Sequence, residues 1–237
     1  MAGGLRLAAL YTMARQKGRC EKEIEVFLDR EMAPGFFAWL VPTSEDNALV
    51  GLLSRDHDCN LLDRFLHTLL EEGKIETVLS GPERWGVPMK TLPRMSRSRV
   101  LVVGDAAGQV KPMTGGGIYY GLLAGRVAAE TLDQGLVAND LSDSSLSLYE
   151  KECHKLFGEE MEVGYTARGL FELLGNKHLN YLITKLSDNR LARGLLESPS
   201  LNFDWHSKPI KTLPRIPFMK SLLRLVGARA AAHAPKQ

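Results

Sequence analysis

Residues 99–132, RVLVVGDAAGQVKPMTGGGIYYGLLAGRVAAETL, are the stretch that decides the fold class. The apolar, β-branched run Val100–Val103 predicts a fully buried strand. The run ends at Gly104 and Asp105, which puts a carboxylate at the carboxyl end of a central strand. In doubly wound sheets the ligand crevice lies outside those strand ends. The pattern therefore predicts an α/β fold with Asp105 as a candidate ligand-binding residue.

A glycine-rich turn, Gly115–Gly117, precedes an expected helix from about Ile118 to Leu132, with Thr114 as its N-cap. Glycines let a ligand approach the backbone amides, and a helix N-terminus favours anionic or electron-rich atoms. Small residues at three- and four-residue steps form a face that should press against a sheet or a flat ligand: Gly121, Ala124, Gly125, Ala128 and Ala129. The alternative is an ordinary strand, turn and core helix with no ligand.

The segment Gly104–Glu130 resembles the second flavin-binding motif of the p-hydroxybenzoate-hydroxylase-like flavoproteins, and more closely that of the geranylgeranyl reductase family. The resemblance implies that Asp105 holds the ribitol or ribose hydroxyls of FAD. It also implies that Pro112 and the glycine-rich helix start lie against the isoalloxazine ring. The amides of Gly117 and Ile118 would face the flavin N1/O2 edge. The implied cofactor-binding residues are Gly104, Asp105, Ala106, Pro112, Gly115, Gly116, Gly117 and Ile118.

Three strands joined by short turns are predicted before this motif: Glu23–Leu28, Phe36–Val41 and Ala48–Leu53. They should form an antiparallel meander, whereas residues 5–16 fit either a strand or a short helix. Phe37 and Trp39 fall on one side of the sheet. They are either part of an ordinary aromatic core or, as the resemblance implies, they line an isoprenoid tunnel together with Gly51. Leu53 stands where the family has a second glycine.

A helix is expected to begin at Asp58 and end at Gly73, with an apolar stripe at Leu61, Leu62, Phe65, Leu66, Leu69 and Leu70. The cluster Asp56, His57 and Asp58 is interpreted as helix capping rather than as a metal site. No metal site is predicted. A short strand is expected at Trp85–Pro88.

Helical segments are expected over Tyr149–Gly164, about Ala167–Leu174, Asn180–Leu186 and Leu191–Leu196. Glu152, Glu159 and Glu160 have no evident partner in the sequence and are interpreted as a solvated face.

The composition is that of an ordinary globular protein: 237 residues, 44% hydrophobic and 24% charged. No stretch reaches the ~18 apolar residues of a membrane-spanning helix, and no signal peptide is recognised. Cys20, Cys59 and Cys153 are widely spaced and lack metal-ligand spacing. They indicate a reducing compartment and hence a cytoplasmic location.

The C-terminal tail is basic. From Lys208 to the end there are seven basic residues and no acidic one, which leaves 23 basic against 28 acidic residues in the rest. An amphipathic helix over Phe218–Ala232 would suit an anionic bilayer, at the inner membrane face. A terminal helix docked on the body is the alternative. No nucleic-acid motif accompanies the charge, so nucleic acid is not an expected partner.

The domains are predicted as 1–90, a substrate-binding sheet; 91–135, the C-terminal part of an FAD-binding domain; and 136–237, a helical region. The fold class is α/β, or α+β for a fragment. No G-x-G-x-x-G turn for the FAD pyrophosphate is found. The chain is therefore expected to be a gene fragment, a product of a misplaced start, or half of a split protein.

The resemblance implies an FAD-dependent oxidoreductase that reduces carbon–carbon double bonds of a prenyl (geranylgeranyl) chain in lipid or pigment biosynthesis. The flavin would take electrons from NAD(P)H or a ferredoxin-like donor and deliver hydride from N5. The sequence identifies no proton donor. Two alternatives are a flavin-dependent monooxygenase or halogenase, and a non-catalytic remnant that binds prenyl lipid.

Overall fold

The computed structural model describes residues 6–16, 23–44, 46–56, 58, 60–188, 194, 202 and 204–212. Two compact units are present. The sheet unit comprises the described residues of Arg6–Val87 with Leu174–Asn180, and the helical unit comprises Pro88–Leu173 with the described residues from Tyr181 onward. The predicted segments Leu191–Leu196 and Phe218–Ala232 lie outside the described residues, apart from Gly194, as do Cys20, His57 and Cys59.

The sheet unit contains six strands. They are β1 (Arg6–Gln16), β2 (Glu25–Phe27), β3 (Ala38–Pro42), β4 (Asn47–Ser54), β5 (Ile75–Val78) and β6 (Glu83–Pro88). The spatial order is β2-β3-β4-β1-β5, and β6 pairs with β1. Antiparallel pairing of β2 with β3 and of β3 with β4 confirms the predicted meander. The open question at residues 5–16 is settled as a strand, because β1 pairs with β4 along eight residue pairs.

The core of the sheet unit lies between one face of the sheet and helix α1 (Leu61–Glu71). Alternate residues of the central strands point to this face and are fully buried, among them Ala38, Leu40, Val50 and Leu52. Five of the six stripe positions of α1 are buried with them, and Leu70 is 41% exposed. The amphipathic pattern therefore predicted the packing face of the helix correctly.

Asp58 lies three residues before the first residue of α1 and supports the start of this helix. The helix begins at Leu61 after Asn60, and the Asp58 carboxylate accepts the Asn60 N–H at 2.9 Å. That hydrogen bond, followed by the contact with Arg64 at 3.0 Å, lowers the pKa of Asp58. Throughout the described part of the chain, no group of three or more His, Cys, Asp or Glu side chains could hold a metal ion.

The helical unit opens with a small antiparallel ribbon of β7 (Ser96–Arg97) and β8 (Val100–Leu101). The prediction of a fully buried strand over Val100–Val103 is wrong, because β8 has two residues and Val100 is 57% exposed. No strand of the described ranges other than β7 pairs with β8. A hydrophobic run is buried as a strand only where neighbouring strands and helices cover both of its faces.

The helices after the ribbon are α2 (Ile118–Val137), α3 (Asp143–Cys153), α4 (Glu159–Glu172), α5 (Asn176–Asp188) and α6 (Ser207–Thr212). A π-helical turn, His154–Gly158, joins α3 to α4 without a break. The helix expected to start at Tyr149 begins at Asp143, where the Ser142 hydroxyl accepts the Ser145 N–H. None of the described helices is long and apolar enough to cross a membrane.

Candidate functional site

A single turn of 3-10 helix, Gly104–Ala107, follows the ribbon and carries Asp105. Gly104 adopts φ of +67°, a conformation that side chains disfavour. Gly108 ends the turn at φ +67°, and a Cβ there would collide with the Lys90 carbonyl. Glycine is thus required on both sides of Asp105, and the backbone presents the Asp105 carboxylate to solvent.

A buried polar network holds this turn from behind. The Gly104 N–H donates to Gln109 Oε1 at 2.7 Å, and Gln109 Nε2 donates to the Tyr149 hydroxyl at 2.8 Å. The hydroxyl donates in turn to the Val102 carbonyl at 2.9 Å. Burial raises the pKa of Tyr149, so its proton stays available for this bond. Neither Gln109 nor Tyr149 was predicted from the sequence as part of the site. The only indication in the sequence was that Gln109 is a polar residue between Gly108 and Val110.

The Asp105 carboxylate lies beside the first turn of α2. A Cβ at Gly117 would collide with Asp105 Oδ1, so only glycine fits there. Gly117 is the N-cap residue and supplies no side-chain cap, which makes the prediction of Thr114 as N-cap wrong. Thr114 Oγ1 is instead buried, with no hydrogen-bond partner among the described residues. The Asp105 carboxylate, the N-terminus of α2 and the Thr114 hydroxyl without a hydrogen-bond partner among the described residues therefore lie within one short segment of the sequence.

The glycine-rich loop closes on Lys111. Its N–H donates to the Gly116 carbonyl at 3.0 Å, and the Gly115 N–H donates to the Lys111 carbonyl at 2.9 Å. Gly115 has φ of +77°, and a Cβ at Gly116 would lie 2.9 Å from Lys111 Cε. The Lys111 side chain is 6% exposed, and its ammonium pairs with Asp204 Oδ1 at 2.8 Å. The loop is therefore fixed to a segment almost a hundred residues further along the chain.

That segment, residues 204–207, is attached to the helical unit at several points. Trp205 Nε1 donates to the Tyr119 hydroxyl at 3.1 Å, and the Tyr120 hydroxyl donates to the Asp204 carbonyl. The Glu160 carboxylate accepts the N–H groups of the next two residues, His206 and Ser207. Glu160 is 5% exposed, so its interpretation as part of a solvated face is wrong. Its partners are distant in the sequence and could not be seen there.

Glu152 and Glu159, which were predicted together with Glu160 to form a solvated face, are exposed and form ion pairs. Glu159 pairs with Lys211, which lowers the pKa of Glu159, and Glu152 pairs with Lys155 at 3.4 Å.

The structure brings some of the predicted cofactor residues together and separates others. Gly104, Asp105 and Gly117 are adjacent, and a Cβ at Gly121 would lie 3.6 Å from the Gly104 Cα. Ala106 is exposed, as is Ile118, at 84%. Pro112 is buried, and α4 passes so close that a Cβ at Gly164 would lie 3.2 Å from Pro112 Cδ.

The small-residue face of α2 is used only in part. Ala124 and Ala128 are buried in the core of the helical unit, whereas a Cβ at Gly125 would meet no atom within 4 Å.

The predicted substrate residues lie in the sheet unit, on the face opposite to α1. Phe37 and Trp39 are half-buried. Ala38, which lies between them, and Leu40, which follows Trp39, point to the opposite face and belong to the core. The Phe37 and Trp39 rings are 5.9 Å apart, edge to face. Gly51 is the cross-strand partner of Trp39, and a Cβ there would lie 2.5 Å from the indole ring. Phe37, Trp39 and Gly51 thus form one aromatic face outside the core.

The sequence of the chain is similar to those of archaeal proteins. An uncharacterised protein of Methanocaldococcus jannaschii is 36% identical over 174 residues, which are 71% of this chain and 43% of that protein. Digeranylgeranylglycerophospholipid reductase 2 of Methanopyrus kandleri is 32% identical over 182 residues, which are 73% of this chain and 46% of that protein. The chain is a homologue of the digeranylgeranylglycerophospholipid reductases. It spans less than half the length of these relatives. No protein-family model matches the chain.

Solved structures confirm the fold class. A geranylgeranyl bacteriochlorophyll reductase-like protein of Thermoplasma acidophilum superposes with a TM-score of 0.75 at 22% identity, over 95% of this chain and 56% of that one. CmlS, a flavin-dependent halogenase, superposes with a TM-score of 0.55 at 15% identity, over 94% of this chain and 46% of that one. The reductase homologue thus shares its fold with flavin-dependent halogenases, so the fold alone does not specify the reaction.

Proposed function

We propose that this reductase homologue is an FAD-dependent oxidoreductase that reduces carbon–carbon double bonds in the prenyl chains of a membrane lipid. The names of its relatives support the reaction and the substrate class. The observation that carries the proposal is the glycine-lined junction of the Gly104–Ala107 turn with α2, where Asp105 lies beside Gly117. The electron donor is proposed to be NAD(P)H or a ferredoxin-like protein.

The residues at this junction fit one side of an FAD molecule. Asp105 is exposed and can accept hydrogen bonds from sugar hydroxyls. The N–H groups of the first turn of α2, at Gly117 and Ile118, favour an electron-rich edge. Thr114 Oγ1 lacks a partner among the described residues, so a ligand atom could satisfy it. Gly116 and Gly117 let the side chains of Lys111 and Asp105 pack directly against the backbone of the loop.

FAD in its reduced form supplies the hydride equivalent for such a reaction, and the protein supplies binding, orientation and exclusion of water. The Gln109–Tyr149 network fixes the backbone from Val102 to Gly104, and so it orients the Asp105 carboxylate. The Lys111–Asp204 pair holds the glycine-rich loop in place. These are positioning roles.

The aromatic face of the sheet unit is proposed to contact the prenyl substrate. Phe37 and Trp39 offer half-buried rings outside the core, and an apolar chain gains free energy by covering such surface. Leu53 lies two residues from Gly51 and therefore on the same side of β4, where it is 5% exposed. A leucine there leaves less room than the glycine of the resemblance, so we expect it to restrict the substrates that fit.

Reduction of a digeranylgeranylglycerophospholipid tests the proposal. The chain is incubated with FAD, excess dithionite and the lipid, alone and together with the part of the Methanopyrus kandleri relative that it does not match. Mass spectrometry should show a gain of two hydrogens per reduced double bond. Asp105→Ala should weaken FAD binding about ten- to a hundredfold, the value of one charge-assisted hydrogen bond. Asp133→Ala, another exposed aspartate of the same unit, is the matched control.

We expect the chain by itself to purify without stoichiometric FAD, because the described residues provide only one side of the site. A protein that remains yellow after dialysis would contradict this expectation. Unchanged FAD affinity in Asp105→Ala would remove that residue from the site. Lipid that binds but is never reduced in any mixture would favour a non-catalytic prenyl-lipid-binding protein. Oxygen-dependent hydroxylation or halogenation of a phenol would favour the monooxygenase or halogenase alternative.

A further inference from the structure

The helical unit contains a cavity of about 500 Å³ that the proposed function does not use. It lies between the segment Met89–Met95, which leads into the ribbon, and the continuous run of α3, the π-helical turn and α4. Its apolar wall includes Met89, Leu92, Met95, Pro112, Phe157 and Met161. Protein sites for small molecules typically have volumes of roughly 300–1,000 Å³ and mostly apolar walls. The cavity has the size and the lining of a ligand site.

The π-helical turn shapes one wall of this cavity. Such turns insert an extra residue into a helix and occur frequently at functional sites. Here the turn directs Phe157, which is 3% exposed, to the cavity, with Gly158 beside it. A Cβ at Gly158 would collide with the His154 ring, so glycine lets this imidazole fold back along the helix. The wall is therefore built by a local departure from regular helix.

The charged residues Lys151 and Glu162, which also line the cavity, are exposed, and several other polar groups on the wall are engaged or neutral. Glu150 Oε1 accepts the N–H groups of Met95 and Ser96, each at 2.7 Å. The Lys90 ammonium lies 5.7 Å from the centre of the Tyr165 ring. Burial raises the pKa of the Cys153 thiol to about 11, so this thiol is uncharged at neutral pH. Among the described residues, no buried polar side-chain atom without a hydrogen-bond partner lies on this wall. The interior thus suits a hydrocarbon better than a polar ligand.

The cavity is connected to the glycine-rich loop through Pro112. This residue lines the cavity and lies three positions before Gly115, and α4 packs against it at Gly164. A hydrocarbon ligand in the cavity would therefore contact the same glycine-rich loop that the proposed function assigns to FAD binding. The relatives are named for a lipid that carries two geranylgeranyl chains.

We propose that the cavity between Met89–Met95 and the π-helical turn binds one prenyl chain of the lipid substrate, as a site separate from the aromatic face of the sheet unit. The choice of a prenyl chain rests on the proposed function. The existence of an apolar site rests on the cavity itself.

The test is binding of a fluorescent prenyl probe, dansyl-farnesol, to the purified full chain, with geranylgeraniol as competitor. Met161→Trp fills the cavity from α4, and Leu92→Asp puts a carboxylate at its half-buried edge. Each should weaken probe binding by at least about tenfold. Met161→Trp removes the space that the prenyl group would occupy, and Leu92→Asp places an unpaired charge against the prenyl group. Leu136→Asp, on the exposed side of α2 in the same unit, is the matched control and should bind normally. Circular dichroism checks that each variant is folded.

Trp39→Ala separates this proposal from the assignment of the aromatic face. Loss of binding in Met161→Trp and Leu92→Asp, with binding kept in Trp39→Ala, supports the cavity. Loss in Trp39→Ala alone overturns the cavity proposal and leaves the aromatic face as the prenyl site. A folded chain that binds no prenyl probe also overturns it, whereas reduction of the lipid in the experiment above would still stand. Probe binding that Met161→Trp and Leu92→Asp weaken and Trp39→Ala does not, without any lipid reduction, would leave the cavity supported and the proposed reaction refuted.

Discussion

Gly51 and Gly117 are both positions where one methyl group would displace a neighbouring side chain, and the neighbours differ in kind. At Gly51 the neighbour is the Trp39 indole, which belongs to the aromatic face. At Gly117 it is the Asp105 carboxylate, which belongs to the proposed FAD site. Glycine at these two positions is required by a contact with another residue, since neither has a positive φ.

Gly51→Ala should destabilise the chain by about 1–3 kcal/mol, the usual cost of overpacking. The new Cβ would lie 2.5 Å from the Trp39 ring and 2.9 Å from the Leu10 carbonyl, so the indole has to move. Urea unfolding followed by tryptophan fluorescence measures both the stability and the environment of Trp39. Gly81→Ala is the control in the same unit, because a Cβ there meets nothing within 4 Å. Equal stability of the two variants would refute the close contact.

At the scale of elements, the glycine-rich loop is held by residues 204–207 as well as by the helix that follows it. Lys111 and Asp204 form an ion pair that is largely shielded from water, with side chains 6% and 24% exposed. Glu160 of α4 then accepts the backbone N–H groups that start α6. A loop that sequence proximity would assign to α2 alone is thus held between α2, α4 and α6.

Lys111→Met should destabilise the chain by about 2–4 kcal/mol, because Asp204 is left without its partner in a poorly solvated place. The double variant Lys111→Met/Asp204→Leu should recover part of this loss, since an apolar pair can replace a buried ion pair at little cost. Urea unfolding of the wild type, both single variants and the double variant gives the coupling free energy. Lys155→Met, from an exposed pair with Glu152, should change stability by less than about 0.5 kcal/mol. Purely additive effects of Lys111 and Asp204 would show that the pair contributes nothing.

At the scale of the whole molecule, the charge is unevenly distributed along the chain. Residues 213–237 contain five basic residues and no acidic one. Lys211, just before them, already pairs with Glu159 and belongs to α6. The structure therefore places the appropriate truncation point after Thr212, where α6 and the contacts of Trp205 are kept.

We propose that the tail attaches the protein to anionic membrane surfaces, where prenyl lipids reside. The full chain should co-sediment with phosphatidylglycerol-containing vesicles at low salt and be released at high salt, because each basic residue contributes on the order of 1 kcal/mol that salt screens. Truncation after Thr212 should abolish the binding and leave the unfolding curve unchanged. A truncated chain that unfolds, or a full chain that does not sediment, would show instead that the tail is a packed structural segment.

The sequence by itself determined the features that depend on local periodicity and on a specific motif. Alternation of apolar residues and turn residues predicted the meander, and the apolar stripe predicted the packing of α1. The segment Gly104–Glu130 carried the resemblance to the family. Phe37 and Trp39 were placed correctly on one side of the sheet, because side chains alternate strictly along a strand.

Only the tertiary structure decided what depends on distant partners. The same valine-rich run that predicted a buried central strand is a two-residue, half-exposed ribbon strand, because burial requires neighbours that an apolar pattern cannot supply. Glu160 is buried because two backbone N–H groups from residues 46 and 47 positions away satisfy it. Gln109, Tyr149 and the cavity wall were invisible for the same reason. Hydrogen bonds and packing between segments far apart in the chain leave no periodic trace in the sequence.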